Sequence, residues 1–246
     1  MNKRGLNWLA GMMRPRRAWR IPALSLLLLA LLLSACSGNR SASKDSDTGE
    51  DDEAALEAKV RKGVKPAADA EAAVFETDFG RIVIELYPNL APRMVERFKQ
   101  LIKEGFYTGT TFHRVNPQLG IIQGGDPLSK DDNPANDGTG DSPYPNVPGE
   151  FSDVPYERGI VGAARKGGGM GMTEAQARDT ANCQFYITLK RVQAFDTRYT
   201  VFGRVIEGLN TADVIAGAPT DQASERPADK IVIKNATLEP RSNFGK

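Results

Sequence analysis

Thr111-Phe112-His113-Arg114-Val115 and, a few residues on, Ile121-Ile122-Gln123-Gly124-Gly125-Asp126-Pro127 form the stretch on which the reading of this chain turns. The first run reads as a strand over 111–115, the second as a strand over 121–123 that ends in a tight glycine turn. Alternation along the first strand sends Phe112 and His113 to opposite faces, with Phe112 toward a core. Upstream, Val74–Thr77 and Arg81–Leu86 read as a hairpin about Asp78-Phe79-Gly80, with Ile82, Ile84 and Leu86 on one face. Pro92 then opens a helix whose Met94, Val95, Phe98, Leu101 and Ile102 keep helical spacing up to Gly105. Downstream, strands are predicted over 159–164, 184–188, 200–205 and 230–238, with a second helix over 209–216. Long loops rich in Gly, Pro, Asn and Asp run from about 124 to 148 and from 166 to 180, and loops of that length usually carry function. The predicted architecture is mostly β: one antiparallel domain with two helices, closed into a barrel so that no strand edge is left bare.

Composition excludes several classes. The 246 residues allow one large domain or two small ones, and 40% hydrophobic with 26% charged residues is ordinary for a globular chain. A single histidine and no clustered ligand residues argue against a metal site. Gly167-Gly168-Gly169-Met170-Gly171 lacks the Lys-Ser/Thr ending of a phosphate loop, so no nucleotide is expected.

Four segments in order, FHRV (112–115), QGGDP (123–127), QFYI (184–187) and VFGRV (201–205), are similar to signature segments of the cyclophilin family. The resemblance covers essentially all of 72–240. It implies a closed eight-stranded antiparallel barrel capped by two α-helices, and isomerisation of peptide bonds preceding proline, with no cofactor and no metal. Proline-containing polypeptides are the implied partners. By the same resemblance Arg114, Gln123 and His113 are the catalytic set. Tyr186, Gln184, Leu119, Ile121, Ala164, Phe195 and Tyr199 are the substrate-binding set.

The chemistry explains why such residues suffice. Resonance puts a barrier of about 20 kcal/mol on rotation of the peptide bond, and the uncatalysed X-Pro change takes tens of seconds or more. No covalent bond forms, so no nucleophile is needed; the site must prefer the twisted amide to either planar form. Twisting localises the lone pair on the proline nitrogen. A fixed cation such as Arg114 meets that lone pair, and an apolar floor, here Tyr186, holds the ring. His113 has no proton to move, so packing or substrate contact is its expected role.

Three departures from the family pattern stand out. Asn116-Pro117-Gln118-Leu119-Gly120 is one residue longer than usual, leaving Leu119 and Ile121 as stand-ins for the apolar wall. The segment 165–183 is longer by several residues and holds a helical stretch at 174–178. Ala194-Phe195 stand where some members carry tryptophan. These changes keep open a second reading, a non-catalytic peptide-binding chaperone or assembly factor of the envelope.

The amino terminus belongs to another class of signal. Lys3, Arg4, Arg14, Arg16, Arg17 and Arg20 precede an apolar run from Ile21 to Leu33 that ends in Leu33-Ser34-Ala35-Cys36. A basic stretch, a short apolar stretch and small residues describe an export signal. The run is shorter than the roughly 20 residues of a membrane span. LSAC resembles the bacterial lipoprotein signal, which makes Cys36 the lipidated residue; an uncleaved anchor and a soluble product cut near Ala35 are the alternatives. The predicted organisation is a signal peptide over 1–35, Cys36 with a flexible linker to 71, the isomerase domain over 72–240 and a tail over 241–246. Removing the leader takes six basic residues and no acid, leaving 26 basic against 31 acidic. That negative balance gives no grip on nucleic acid. A monomer is expected, held by its lipid at the cell envelope on the periplasmic face of the outer membrane, since Ser37 lacks the Asp that retains such proteins at the inner membrane.

Overall fold

The computed structural model describes residues 59–167 and 171–245; the leader and Cys36 lie outside the described residues. Among these residues ten strands follow one another with three helices between them. They are β1 (Glu71–Thr77), β2 (Gly80–Leu86), α1 (Pro92–Lys103), β3 (Arg114–Asn116), β4 (Ile121–Gly124), β5 (Ile160–Ala163), α2 (Glu174–Arg178), β6 (Phe185–Thr188), β7 (Val201–Glu207), α3 (Leu209–Ala216), β8 (Thr220–Asp221), β9 (Arg226–Pro227) and β10 (Ile233–Pro240). Eight of the strands form one antiparallel, strongly curled sheet in the order β10-β1-β2-β7-β5-β6-β4-β3; β8 and β9 form a separate hairpin.

Period-two alternation builds the core. Val115, Ile122, Phe185, Ile187 and Val161 turn inward to join Phe75, Ile82, Ile84 and Phe202. Phe112 lies there too, fully buried as expected, although it precedes β3 and stands three residues from Val115, so one unbroken alternation does not place both. Phe75 and Phe185 stack at 5.3 Å, and Phe98 of α1 meets both Phe185 and Phe202 edge-on. Helix α1 packs against β10, and α3 against β2, β3 and β4. The Cys183 thiol is buried and free, and burial pushes its pKa up to about 12, so it stays protonated.

The sheet departs from the predicted closed barrel. β3 and β10, its two edges, share no ladder. The gap is crossed by an isolated bridge between Thr111 and Val232 and by backbone hydrogen bonds from Gly109 to Ile233, Ile233 to Thr110 and Phe112 to Ile231. Pro117 and the long connections at this side leave β3 only three residues long, too short to pair along β10. A third helix, α2, joins the two expected, at the helical stretch read from the sequence.

The ordered unit also extends past both predicted ends. Residues 61–69, assigned above to a flexible linker, are strapped to the domain. Arg61 pairs its backbone with Phe151 and Asp153 and its guanidinium with the carbonyls of Asn89 and Leu90; Asn89 in turn holds Lys65 and Ala67. At the other end residues 241–245 of the predicted tail dock: Arg241 bonds Glu85 at 3.1 Å, and Phe244 is buried against Ala72, Val74 and Val83. A composition short of large apolar residues hid both, because these contacts are mainly hydrogen bonds and one ring. Among the described residues no helix is long and apolar enough to cross a membrane.

Helix α1 begins without a side-chain cap of its own, since Ala91 precedes Pro92. Glu150, buried and 57 residues from Arg93, supplies one: its carboxylate accepts from the backbone N–H of Arg93 at 3.2 Å and of Met94 at 3.0 Å. A negative group at the positive end of the helix is worth about 1–2 kcal/mol. Glu150→Ala is expected to lower Tm by about 2–8 °C in a thermal melt; no shift would show that water caps the helix as well.

Candidate active site

Register places the key side chains. Arg114 of β3 lies directly opposite Gln123 of β4, Gln123 opposite Tyr186 of β6, and Tyr186 opposite Gly162 of β5. Partners directly opposite share a face of the sheet, so the four make one row across its outer surface. At about 4.8 Å per strand, Arg114 and Tyr186 stand roughly 10 Å apart. Gln184 and Ile121, each two residues from a member of the row, lie on the same face.

A chain of amides carries the row's polar half. The Arg114 guanidinium donates through Nη1 to Gln123 Oε1 at 3.1 Å, Gln123 Nε2 donates to Gln184 Oε1 at 3.0 Å, and Gln184 Nε2 donates to the carbonyls of Gly138 and Gly140. The loop carrying those carbonyls is fixed by Asp126, fully buried, whose carboxylate accepts from the N–H groups of Gly138 and Leu128. Each amide spends both ends, so the donor order is set and the guanidinium cannot turn freely. Two Arg114 bonds run to Glu225 and Gln123; Asn116, also of β3, bonds Glu225 as well.

The apolar half surrounds Tyr186. Its ring is 5.3 Å from Phe195 and 5.9 Å from Tyr199, both edge-on, and it stacks on Tyr156. Ile121 is buried in this cluster, while Leu119 and Ala164 pack against it half-buried. Gly162 makes the ring possible: a Cβ there would lie 2.5 Å from the Tyr186 hydroxyl and 2.8 Å from that of Tyr156. Burial pushes the pKa of Tyr186 well up, so the hydroxyl stays neutral.

Beside the row is a cavity of about 320 Å³ lined in part by Gln123, Ala164, Arg165, Lys166 and Gln184. Arg165 was missed in the sequence reading. Its guanidinium lies 4.4 Å over the Tyr199 ring and is paired with Glu174, the first residue of α2. The long 165–183 segment thus lines the site directly, through Arg165, Lys166, Thr180 and Asn182, and one ion pair ties α2 to Arg165. Adjacency to Ala164 was the only signal for Arg165. Glu225, 111 residues from Arg114, gave none at all.

His113 is the site residue that stands apart. It is 6% exposed and lines a different cavity, of about 200 Å³, with Asp137, Arg226 and Lys230. Neither ring nitrogen makes a well-formed hydrogen bond. The geometry therefore groups Arg114 and Gln123 with Gln184, Tyr186, Leu119, Ile121, Ala164, Phe195 and Tyr199, and leaves His113 behind them. Among the described residues no group of His, Cys, Asp and Glu is placed to hold a metal ion.

The family model for cyclophilin-type peptidyl-prolyl cis-trans isomerases matches residues 72–238. The chain belongs to that family. It is a peptidyl-prolyl cis-trans isomerase by descent, as the four signature segments implied. A probable peptidyl-prolyl cis-trans isomerase of Brucella suis is 37% identical over 179 residues, which cover 70% of this chain and 85% of the relative. The isomerase ppi1 of Schizosaccharomyces pombe is 34% identical over 65% of this chain and 94% of its own. A Cryptosporidium parvum cyclophilin superposes with a TM-score of 0.59 at 29% identity, covering 69% of this chain and 97% of that one. A second crystal structure of that protein, obtained in the presence of the dipeptide Ala-Pro, superposes with a TM-score of 0.58 at 27% identity.

Burial pushes the His113 pKa down to about 4. The unfolded chain, with the ordinary value near 6.5, takes up that proton first. Stability is thus fully present above pH 6.5 and is lost as pH falls toward about 4. His113→Gln is expected to flatten Tm against pH in this window, while kcat/KM of the folded protein shows no inflection near pH 4 in either form. A catalytic inflection near pH 4 that vanishes in the variant would return His113 to the reaction.

Proposed function

We propose that this isomerase accelerates rotation about X-Pro bonds in exported or envelope proteins, with Arg114 stabilising the twisted amide and a lipid on Cys36 holding the chain to the membrane. The observation that carries the reading is the cross-strand row, which sets a fixed guanidinium two strand spacings from an aromatic floor. A proline ring seated on Tyr186, among Leu119, Phe195 and Tyr199, leaves its nitrogen on the Arg114 side. The bond from guanidinium to nitrogen is weak while the lone pair is delocalised and strengthens as the bond twists, so it lowers the barrier rather than only tightening binding. Gln123 and Gln184 keep the guanidinium aimed, and the second Nε2 proton of Gln123 is left for the substrate backbone. The Ala-Pro dipeptide in the presence of which the Cryptosporidium cyclophilin was crystallised supports proline-containing peptides as the substrate class.

A hydrogen bond from a charged donor is worth about 1.5–3 kcal/mol, or roughly 10- to 150-fold in rate. Arg114→Ala is therefore expected to cut kcat/KM on a short X-Pro peptide by about 100-fold, with peptide affinity little changed. A wild-type domain that binds the peptide without turning it over would instead favour the chaperone reading.

The location rests on the LSAC signal and on Ser37 following it. Bacteria expressing the chain and fed an alkyne-bearing palmitate are expected to label it, and Cys36→Ala to abolish both the label and recovery in the membrane fraction. An unlabelled wild type would remove the anchor from the reading.

A further inference from the structure

Glu225 lies in the turn of the β8–β9 hairpin, outside the eight-stranded sheet, yet it reaches both outward-facing side chains of β3. One carboxylate oxygen accepts from Arg114 Nε and the other from Asn116 Nδ2. Its backbone carbonyl accepts from Val115, the residue between them, at 2.7 Å. The hairpin therefore grips the exposed edge of β3 at three consecutive residues. We propose that Glu225 is a positioning residue for isomerisation, setting the aim of Arg114 and the place of Leu119 together. This deepens the reading of Arg114 given above and rests on it.

The arginine half follows from the shape of the guanidinium. Its five N–H groups lie in one plane. With Nε committed to Glu225 and one Nη1 proton to Gln123, the plane is held at two points. Among the described residues no bond is made by Nη2, which leaves that end of the fork for substrate. Removing Glu225 leaves a single bond, about which a long side chain can swing. The pair is a third exposed on each side, so solvent screens its charge and its worth to stability is small. Orientation is what it supplies.

The loop half runs through Asn116. Its Nδ2 is held by Glu225, so its Oδ1 faces the chain and accepts from Leu119 N–H at 2.6 Å, while its carbonyl accepts from Gly120. This is the segment one residue longer than the family spacing, and Leu119 is the wall it presents to the proline ring. One carboxylate thus sets both the donor and the wall.

The backbone of Glu225 adds an independent sign. Its φ is +57°, the left-handed region that side chains other than glycine and asparagine avoid. Glycine would sit there without strain, so the conformation does not account for a glutamate; its carboxylate does.

The test uses the full chain in detergent micelles. Glu225→Gly relieves the backbone and removes the carboxylate. It is expected to leave Tm within about 3 °C of wild type while lowering kcat roughly tenfold and raising KM. Glu225→Gln can still accept from Arg114 Nε, but its NH2 faces that of Asn116, whose oxygen Leu119 already occupies; most of kcat should return while KM stays high. In the Arg114→Ala background Glu225→Gly should cost no further kcat. The pin is also read without catalysis: the Arg114 Nε–H resonance, sharp and slow to exchange in wild type, should broaden or exchange faster in Glu225→Gly. A resonance unchanged in Glu225→Gly overturns the pin. A lost resonance with kcat intact, in a protein that Arg114→Ala inactivates, overturns the positioning role. An Arg114→Ala protein that keeps full activity overturns the arginine mechanism itself, and with it any catalytic use of a pin the resonance still reports.

Discussion

Antiparallel register across β3, β4, β6 and β5 is the constraint on which the site depends. In a pleated sheet a slip of one residue turns every side chain to the other face. Here it would send Arg114 or Gln123 into a core of Val115, Ile122, Phe185 and Ile187, and those residues out to solvent. Burying the inner set therefore fixes the outer set as well. The hydrophobic effect aligns the polar row although it acts on the opposite side of the same strands.

Register alone leaves the side chains free to rotate, and the long loops remove that freedom. The 138–140 carbonyls hold Gln184, Gln184 holds Gln123, and Gln123 holds Arg114. On the apolar side, Glu174 of α2 holds Arg165 over Tyr199. The sheet is left open beside β3, the strand that carries the guanidinium, and the β8–β9 hairpin covers that edge instead.

Much of this was legible in the sequence because it is periodic or contiguous. The β1–β2 hairpin, α1 and α3 follow from alternation and helical spacing, and α3 matches its predicted span. Phe185 and Tyr186 took their faces from strand parity. The parts that were not legible are those made by single contacts between distant residues. Glu225 on Arg114, Glu150 on α1 and Arg61 on Asn89 each join segments far apart by side-chain hydrogen bonds, which leave no pattern in composition or period. His113, grouped with Arg114 by its motif, precedes β3 and lines a separate cavity, because a motif records neighbours in sequence and not the direction of their side chains.

The empty space above Gly162 links two positions that no motif joins. The hydroxyl of Tyr186 occupies the volume where a methyl group would project from the facing strand. A chain of this kind can acquire an alanine or larger residue at 162 only if the ring at 186 tilts away from the sheet, because the ring carbon that bears the oxygen lies closer still and would remain in a phenylalanine. The two sites are thus bound to drift as a pair, and an aromatic floor in this pose implies a bare backbone opposite it.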